Sequence, residues 1–209
     1  MTPISNASPL ILGSASPRRK DLLCQLRIPI EVVSASAEEG QIFGELPEEY
    51  LRRVVRNKMD AVGVLLGRHQ RAHSAVLVAD TIVLLDGEVL GKPADARDAQ
   101  RLLRRLVGRV HKVLTRYSLR KADQRDVAFE RTVESKVRMR AASDEEIRRY
   151  AASGEGLDKA GAYAVQGLGS FLVAAIDGSW SNVVGLPVCE LVSDLHHAGL
   201  IRHFPLDPP

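Results

Sequence analysis

Leu10-Ile11-Leu12-Gly13-Ser14-Ala15-Ser16-Pro17-Arg18-Arg19 is the stretch on which the fold turns. The first three residues form an apolar run of the length of a short buried strand. Ser16 then stands where a helix N-cap is favoured, and Pro17 at the first helical position, where its missing N–H costs nothing. Leu22, Leu23 and Leu26 follow on one helical face. Strand, tight loop of small residues and helix make an α/β unit whose loop gathers two hydroxyls and two guanidiniums.

Outward from this unit, residues 31–34 read as a second strand. Pro47 opens a long helix in which Leu51, Val54, Val55, Met59, Val62, Leu65 and Leu66 keep helical spacing, with Gly67 as its stop. Residues 76–79 read as a buried strand ending at Asp80. Residues 82–85 and 89–90 flank Asp86-Gly87, a strong hairpin signal. A third helix is expected over 95–107, stopped by Gly108. Strands at 113–119 and 127–137 are joined by a polar turn at 122–126. Ser143 and Glu146 form a capping box for a helix through Ala152. Strands at 163–165 and 171–176, a helix over 187–198 stopped by Gly199, and an extended tail at 205–209 complete the chain. Parallel-type units mixed with hairpins give an α/β class: a mixed twisted sheet flanked by helices. No repeat, low-complexity tract or linker divides it, so residues 1–209 read as one domain with an ordered core over 10–200.

The chain has 209 residues, and hydrophobic residues make up 45% of it, enough for a sizeable core. Only 4% are aromatic, so aliphatic side chains must fill that core, and a base-stacking surface for single-stranded nucleic acid is hard to assemble. The net charge of +3 favours anionic ligands without choosing one. Stable nucleic-acid binding is not expected. No apolar run approaches the ~20 residues of a membrane span, and the first nine residues lack the basic start and apolar stretch of a signal peptide. A cytoplasmic, membrane-free protein is the expectation. Cys24 and Cys189 lie in helix-like apolar surroundings and read as buried reduced thiols. Trp180 reads as core. The scattered histidines, His69 and His73 or His196 and His197 included, form no zinc pattern.

Five segments can carry chemistry. The 14–19 loop offers oriented N–H groups, hydroxyls and bidentate Arg forks at a helix start, which is what a phosphate requires; the plain alternative is a capped helix with surface arginines. Asp80-Thr81 follows a buried strand, where an α/β sheet exposes its functional edge, and an aspartate there can hold a divalent cation or take a proton from water. It can equally form a turn. Lys92 sits between Gly91 and Pro93, which fixes where its charge points, unless it is a solvated loop lysine. Glu38-Glu39 follow the second strand. Lys58 lies near the apolar stripe of the long helix, whereas Arg52, Arg53 and Arg56 have solvent available. A lysine so placed must snorkel or find an anion. In the segment from Asp158 to Gly167, Gln166 offers donors and acceptors suited to a base edge, or to holding a turn.

Taken together and in order, Ser-x-Ser-Pro-Arg-Arg at 14–19, Glu38-Glu39, Lys58, Ala79-Asp80-Thr81, Gly91-Lys92-Pro93, Asp158-Lys159-Ala160-Gly161-Ala162-Tyr163, Gln166-Gly167 and Val183-Val184-Gly185-Leu186-Pro187 resemble the Maf family of nucleotide pyrophosphatases. The resemblance runs from Leu10 to about Leu195. It implies a mixed-sheet α/β fold with two lobes and a central cleft, similar to inosine-triphosphate pyrophosphatases, and hydrolysis of a nucleoside triphosphate to monophosphate and pyrophosphate. It implies phosphate contacts from Ser14, Ser16, Arg18, Arg19, Lys58 and Lys92, and a general base at Asp80. A divalent cation (Mg²⁺ or Mn²⁺) falls to Glu39 and Asp80, and base recognition to Arg18, Thr81 and Gln166.

Three positions depart from the family pattern: Glu38 where Asp is usual, Met59 where Ala follows the helix lysine, and Arg116 where Gly follows Thr115. The Ala-Asp-Thr and Gln-Gly motifs resemble the dTTP/UTP branch. The 7-methyl-GTP branch tends to carry Ser-Asp-Gln and Glu-Gly. A 7-methyl-GTP pyrophosphatase, and a non-catalytic nucleotide-binding regulator linked to septum formation, are the alternatives. A homodimer is compatible with the sequence, which sets no oligomeric state.

Overall fold

The computed structural model describes residues 2–69 and 72–206. Along the chain run β1 (Leu10–Leu12), α1 (Pro17–Gln25), β2 (Ile30–Val32), α2 (Pro47–His69), β3 (Ala75–Leu85), β4 (Glu88–Leu90) and α3 (Ala96–Leu106). Then follow β5 (Val110–Lys121), β6 (Phe129–Met139), α4 (Asp144–Ala152), β7 (Val173–Asp177), α5 (Trp180–Val184) and α6 (Val188–His197). Two 3-10 turns, Ala160–Ala162 and Gly167–Leu172, precede β7. Hydrogen bonding orders the strands β2-β1-β3-β5-β6-β7, with β4 on β3. β1 is parallel to β2 and to β3, while β3–β4 and β6–β7 are antiparallel. Parallel neighbours need long crossovers, and α1 and α2 supply them. The sheet is therefore mixed, as the sequence predicts.

The chain divides into two compact units: residues 1–80, 116–132 and 185–209 in one, 81–115 and 133–184 in the other. In the first, the apolar stripe of α2 (Val55, Met59, Val62, Leu66) packs on Ile11 of β1 and Val76 and Val78 of β3. Gly13 is required here, because a Cβ on it would lie 2.7 Å from Val78 Cγ1 and 2.9 Å from Val62 Cγ2. Leu191 and Leu195 of α6 are fully buried. Between them Asp194, also buried, accepts from the Tyr117 hydroxyl and from both forks of Arg131. Burial, and then Asp194 itself, push the Tyr117 phenol well above its ordinary value. Near the chain's two ends, Ile4 N–H donates to the Leu200 carbonyl at 2.9 Å.

In the second unit α3 and α4 cover Val83, Leu85, Leu90, Val113, Val137 and Met139 from the strands. Asp95 caps α3 through Asp98 N–H, and the Ser143–Glu146 capping box of α4 is formed in both directions. Asp86 and Gly87 both take positive φ, 52° and 85°, as a two-residue hairpin of this twist demands. Buried His111 meets the Tyr163 hydroxyl through Nε2 at 2.7 Å.

Several sequence expectations are corrected. β3 does not stop at Asp80 but continues to Leu85, because Thr81, Ile82 and Val83 are good strand formers that extend the ladder. α2 runs past Gly67; one glycine costs only about 1 kcal/mol, little against so long a packed helix. Residues 163–165 are not a strand. Ala164 N–H donates to the Tyr150 hydroxyl, and Gly161 and Ala162 just before it have positive φ. Ser16 occupies the N-cap of α1 without capping through its side chain. α5 occupies a stretch to which the sequence reading assigns no element, and Trp180 at its start is 45% exposed rather than core. Both cysteines are free and exposed, Cys24 because it turns away from the face that buries Leu22 and Leu23. Arg53 is not simply solvated, since it is held by Glu45 and by the Gly40 carbonyl. Arg116, where Gly is usual in the family, lies within β5 and pairs with Thr132 and Glu130. The expected tail beyond residue 206 and the side chain of His69 lie outside the described residues.

Candidate active site

The 14–19 loop is held from within. Ser14 Oγ accepts from Ser16 N–H at 3.3 Å and from Arg19 Nη1 at 3.0 Å. Arg19 is only 7% exposed, and its Nε donates to the Gly185 carbonyl at 2.8 Å. Burial pulls the Arg19 guanidinium below its ordinary value, Asp80 opposes that, Arg18 adds to it, and Glu39 opposes it again. Both carboxylates and Arg18 therefore lie within electrostatic reach of the same buried fork.

α2 and β3 supply the acid–base pair. The Lys58 ammonium lies 2.6 Å from Asp80 Oδ1 and 2.9 Å from Glu39 Oε1. The Lys58 and Asp80 side chains are 12% and 13% exposed, against 48% for Glu39. Lys58 thus does not snorkel; it stands where two carboxylates converge, one of them largely shielded, so the pair is stronger than a surface ion pair.

Three residues of α2, of which the sequence reading covers only Arg53, as solvated, hold the strand-free segment bearing Glu39. Tyr50 hydroxyl donates to the Glu39 carbonyl at 2.9 Å, Arg53 Nη2 to Gly40 at 2.7 Å and Asn57 Nδ2 to Glu38 at 3.3 Å. Their spacing places them on one helical stripe. That spacing was the available signal, but a polar stripe reads equally as a solvated face. Burial first, then the charges of Asp80 and Glu39, push the Tyr50 phenol up to about 12, which keeps it a donor.

In the second unit, Thr81 and Thr115 share a hydroxyl hydrogen bond of 2.9 Å, and Thr115 donates onward to the Asn182 carbonyl at 3.0 Å. With the Thr115 proton so committed, Thr81 is the donor in the first contact. Lys92 is exposed after β4. Its loop is pinned to the 160–167 segment by Gly161 N–H on the Gly91 carbonyl at 3.1 Å. Gln166 precedes the second 3-10 turn and is partly exposed. The Glu155 carboxylate accepts from Leu168 N–H at 2.8 Å and Gly169 N–H at 2.7 Å, and from Tyr150 hydroxyl at 2.9 Å. The same Tyr150 hydroxyl accepts from Ala164 N–H. Both ends of the Gln166 segment are therefore fixed by one tyrosine–carboxylate pair, for which the sequence carried no signal. Burial pushes the Glu155 carboxyl up, and the two N–H donors and the tyrosine outweigh it, so the group sits below its ordinary value.

Among the described residues no three His, Cys, Asp or Glu side chains form a closed metal cluster. A magnesium-type ion does not require one. It takes one or two carboxylates and completes its shell with waters and substrate phosphates. Glu39 and Asp80, two hard oxygen donors already drawn to one positive charge, fit that role.

The family model described as Maf-like protein matches residues 9–198. The chain belongs to the Maf family. Similar relatives in that family include a dTTP/UTP pyrophosphatase of Myxococcus xanthus, 49% identical over 91% of this chain and 93% of the relative. One of Methylococcus capsulatus is 46% identical over 91% of each chain, and one of Geotalea uraniireducens 43% identical over 93% of this chain and 97% of the relative. The Ham1 protein of Staphylococcus aureus, a solved structure, is 16% identical with a TM-score of 0.41, over 65% of this chain and 72% of that one; at that score the likeness says nothing of the site. Of the Maf residues expected from sequence, the first unit brings together Ser14, Ser16, Arg18, Arg19, Glu39, Lys58 and Asp80. Thr81, Lys92 and Gln166 belong to the second unit.

Proposed function

We propose that this Maf chain hydrolyses nucleoside triphosphates to the monophosphate and pyrophosphate, with dTTP and UTP preferred. The observation that carries the reading is the Lys58 ammonium shared by Asp80 and Glu39 beside the buried Arg19, in a chain similar to dTTP/UTP pyrophosphatases over more than nine-tenths of its length. Water adds to phosphorus, the α–β anhydride bond breaks, and the pyrophosphate leaves with the electron pair. Asp80 accepts the proton of the attacking water. Arg19, Arg18 and the Ser14 and Ser16 hydroxyls hold phosphate oxygens, and Lys58 moves from neutralising carboxylates to neutralising phosphate. Lys92 is assigned a further phosphate contact. A divalent cation held by Glu39 and Asp80 supplies charge neutralisation on the phosphates. Thr81 and Gln166 are assigned to base recognition. A neutral amide matches the alternating carbonyl and N–H edge of uracil or thymine, whereas a methylated, positively charged guanine gains from a carboxylate.

Two variants test this. Asp80→Asn keeps the shape and cannot take the proton, so turnover of dTTP should fall at least ~10²-fold; turnover at the wild-type level removes Asp80 as the base. For the base, kcat/KM on dTTP, UTP, CTP, GTP and 7-methyl-GTP is compared in wild type and Gln166→Glu. A mispaired buried polar edge costs about 1–3 kcal/mol, enough to reorder the series. A wild type that favours 7-methyl-GTP sinks the pyrimidine assignment, and an unchanged order in Gln166→Glu takes that residue out of base recognition.

A further inference from the structure

The first unit contains a second concave surface that the pyrophosphatase reading does not use. A cavity of about 460 Å³ is lined by Leu66, Val76, Arg120, Lys121 and Arg125, together with His73. Lys121, the last residue of β5, is only 8% exposed. Among the described residues the side chains of Lys121, Arg120 and Arg125 have no hydrogen-bond or ion-pair partner, although the Lys121 carbonyl accepts from Gln124 N–H. Arg120 is further constrained, since its guanidinium lies over α2 where a Cβ on Gly63 would come within 2.8 Å of Nη2. A mostly buried lysine that meets water at a cavity wall, with no carboxylate to pair it, favours an anion there. Three cations around one cavity, the most buried of them uncompensated, form a receptor short of its anion. The volume lies in the range of small-molecule sites and exceeds what an inorganic ion fills, and Leu66 and Val76 give it an apolar wall beside the charged one.

We propose that this cavity binds a phosphate-bearing organic anion of nucleotide size, its phosphate on Lys121, Arg120 and Arg125 and its less polar part against Leu66 and Val76. The proposal does not depend on the catalytic assignments, because none of these residues enters them. UMP, pyrophosphate and inorganic phosphate are titrated calorimetrically into wild type, Lys121→Met and Arg125→Gln. Wild type should bind UMP at this cavity in addition to any binding at the catalytic residues. Each variant should bind UMP at this cavity at least about tenfold more weakly, the equivalent of 1.4 kcal/mol for a lost phosphate contact. Basal dTTP turnover should be unchanged. Unliganded Lys121→Met should melt no lower than wild type, because it removes an uncompensated charge while keeping the stem. Arg125, on the exposed turn after β5, carries no risk to folding, so Arg125→Gln decides the matter if Lys121→Met is unstable. UMP isotherms identical in all three proteins overturn the site. A cavity that takes inorganic phosphate as tightly as UMP overturns the nucleotide assignment. A Lys121→Met that melts well below wild type and binds UMP unchanged makes Lys121 a packed stem with a hydrated head.

Discussion

At the scale of single residues, His111 is the group whose chemistry burial changes most plainly. It is 2% exposed, its Nε2 is committed to Tyr163, and its Nδ1 has no partner. Burial lowers its pKa from 6.5 to about 4. The folded state therefore binds the proton less readily than the unfolded chain. Stability is fully present above pH 6.5 and is lost as pH falls through the window down to about 4. A shift of that size corresponds to on the order of 3 kcal/mol at the acid end. Urea midpoints should fall between pH 7 and pH 4.5 in wild type, and His111→Gln should flatten that fall. Equal slopes in the two proteins would show that carboxylates alone govern acid unfolding.

At the scale of elements, the segment from Tyr163 to Leu172 is held at its end by Arg140, which donates to the Phe171 and Leu172 carbonyls, and before that by Tyr150 and Glu155. Glu155→Gln keeps the volume but turns an amide donor toward one of two backbone donors. A buried N–H left without an acceptor costs about 1–3 kcal/mol, and the loss is smaller at exposed Leu168 than at part-buried Gly169. Hydrogen exchange at Leu168 and Gly169 should quicken, and the discrimination of dTTP from GTP should narrow with kcat on dTTP little changed. A loss of kcat with discrimination intact would mean that Glu155 acts elsewhere than through Gln166.

At the scale of the whole molecule, the first unit is assembled from three separated stretches, 1–80, 116–132 and 185–209. The last of these brings Leu186, Leu191, Leu195 and Ile201 into the core, Asp194 to Tyr117 and Arg131, and the Gly185 carbonyl to Arg19. A chain ending at Val184 should lose the cooperative thermal transition of the first unit and all dTTP hydrolysis. Calorimetry and a pyrophosphate-release assay decide it, and a soluble, active truncation contradicts this account of the unit.

The same scale explains what the sequence could and could not disclose. Strand, helix and hairpin signals that depend on neighbours along the chain, such as Leu10–Leu12, Pro17 and Asp86-Gly87, were legible. Asp80 was recognisable as an acid after a buried run, but the continuation of β3 through it was not, because a lone charge reads as an end. Tyr163 to Val165 looked like a strand because nothing nearby announces the Tyr150 hydroxyl, thirteen or more residues back, as the acceptor of Ala164 N–H. Tyr50, Arg53 and Asn57 have the composition of a solvated helix face, and only the fold brings the carbonyls of 38–40 to them.

The hydrogen bond from Arg19 to Gly185 joins positions 166 residues apart. A ribosome adding roughly 5–20 residues per second needs about 8–33 s to cover that interval. For all of that time the nascent chain carries Arg19 without the acceptor that fixes it. A growing polypeptide surrounded by nucleotides thus withholds hydrolysis until Gly185 has emerged, and a ribosome stalled before it leaves a fragment that consumes none of the pool.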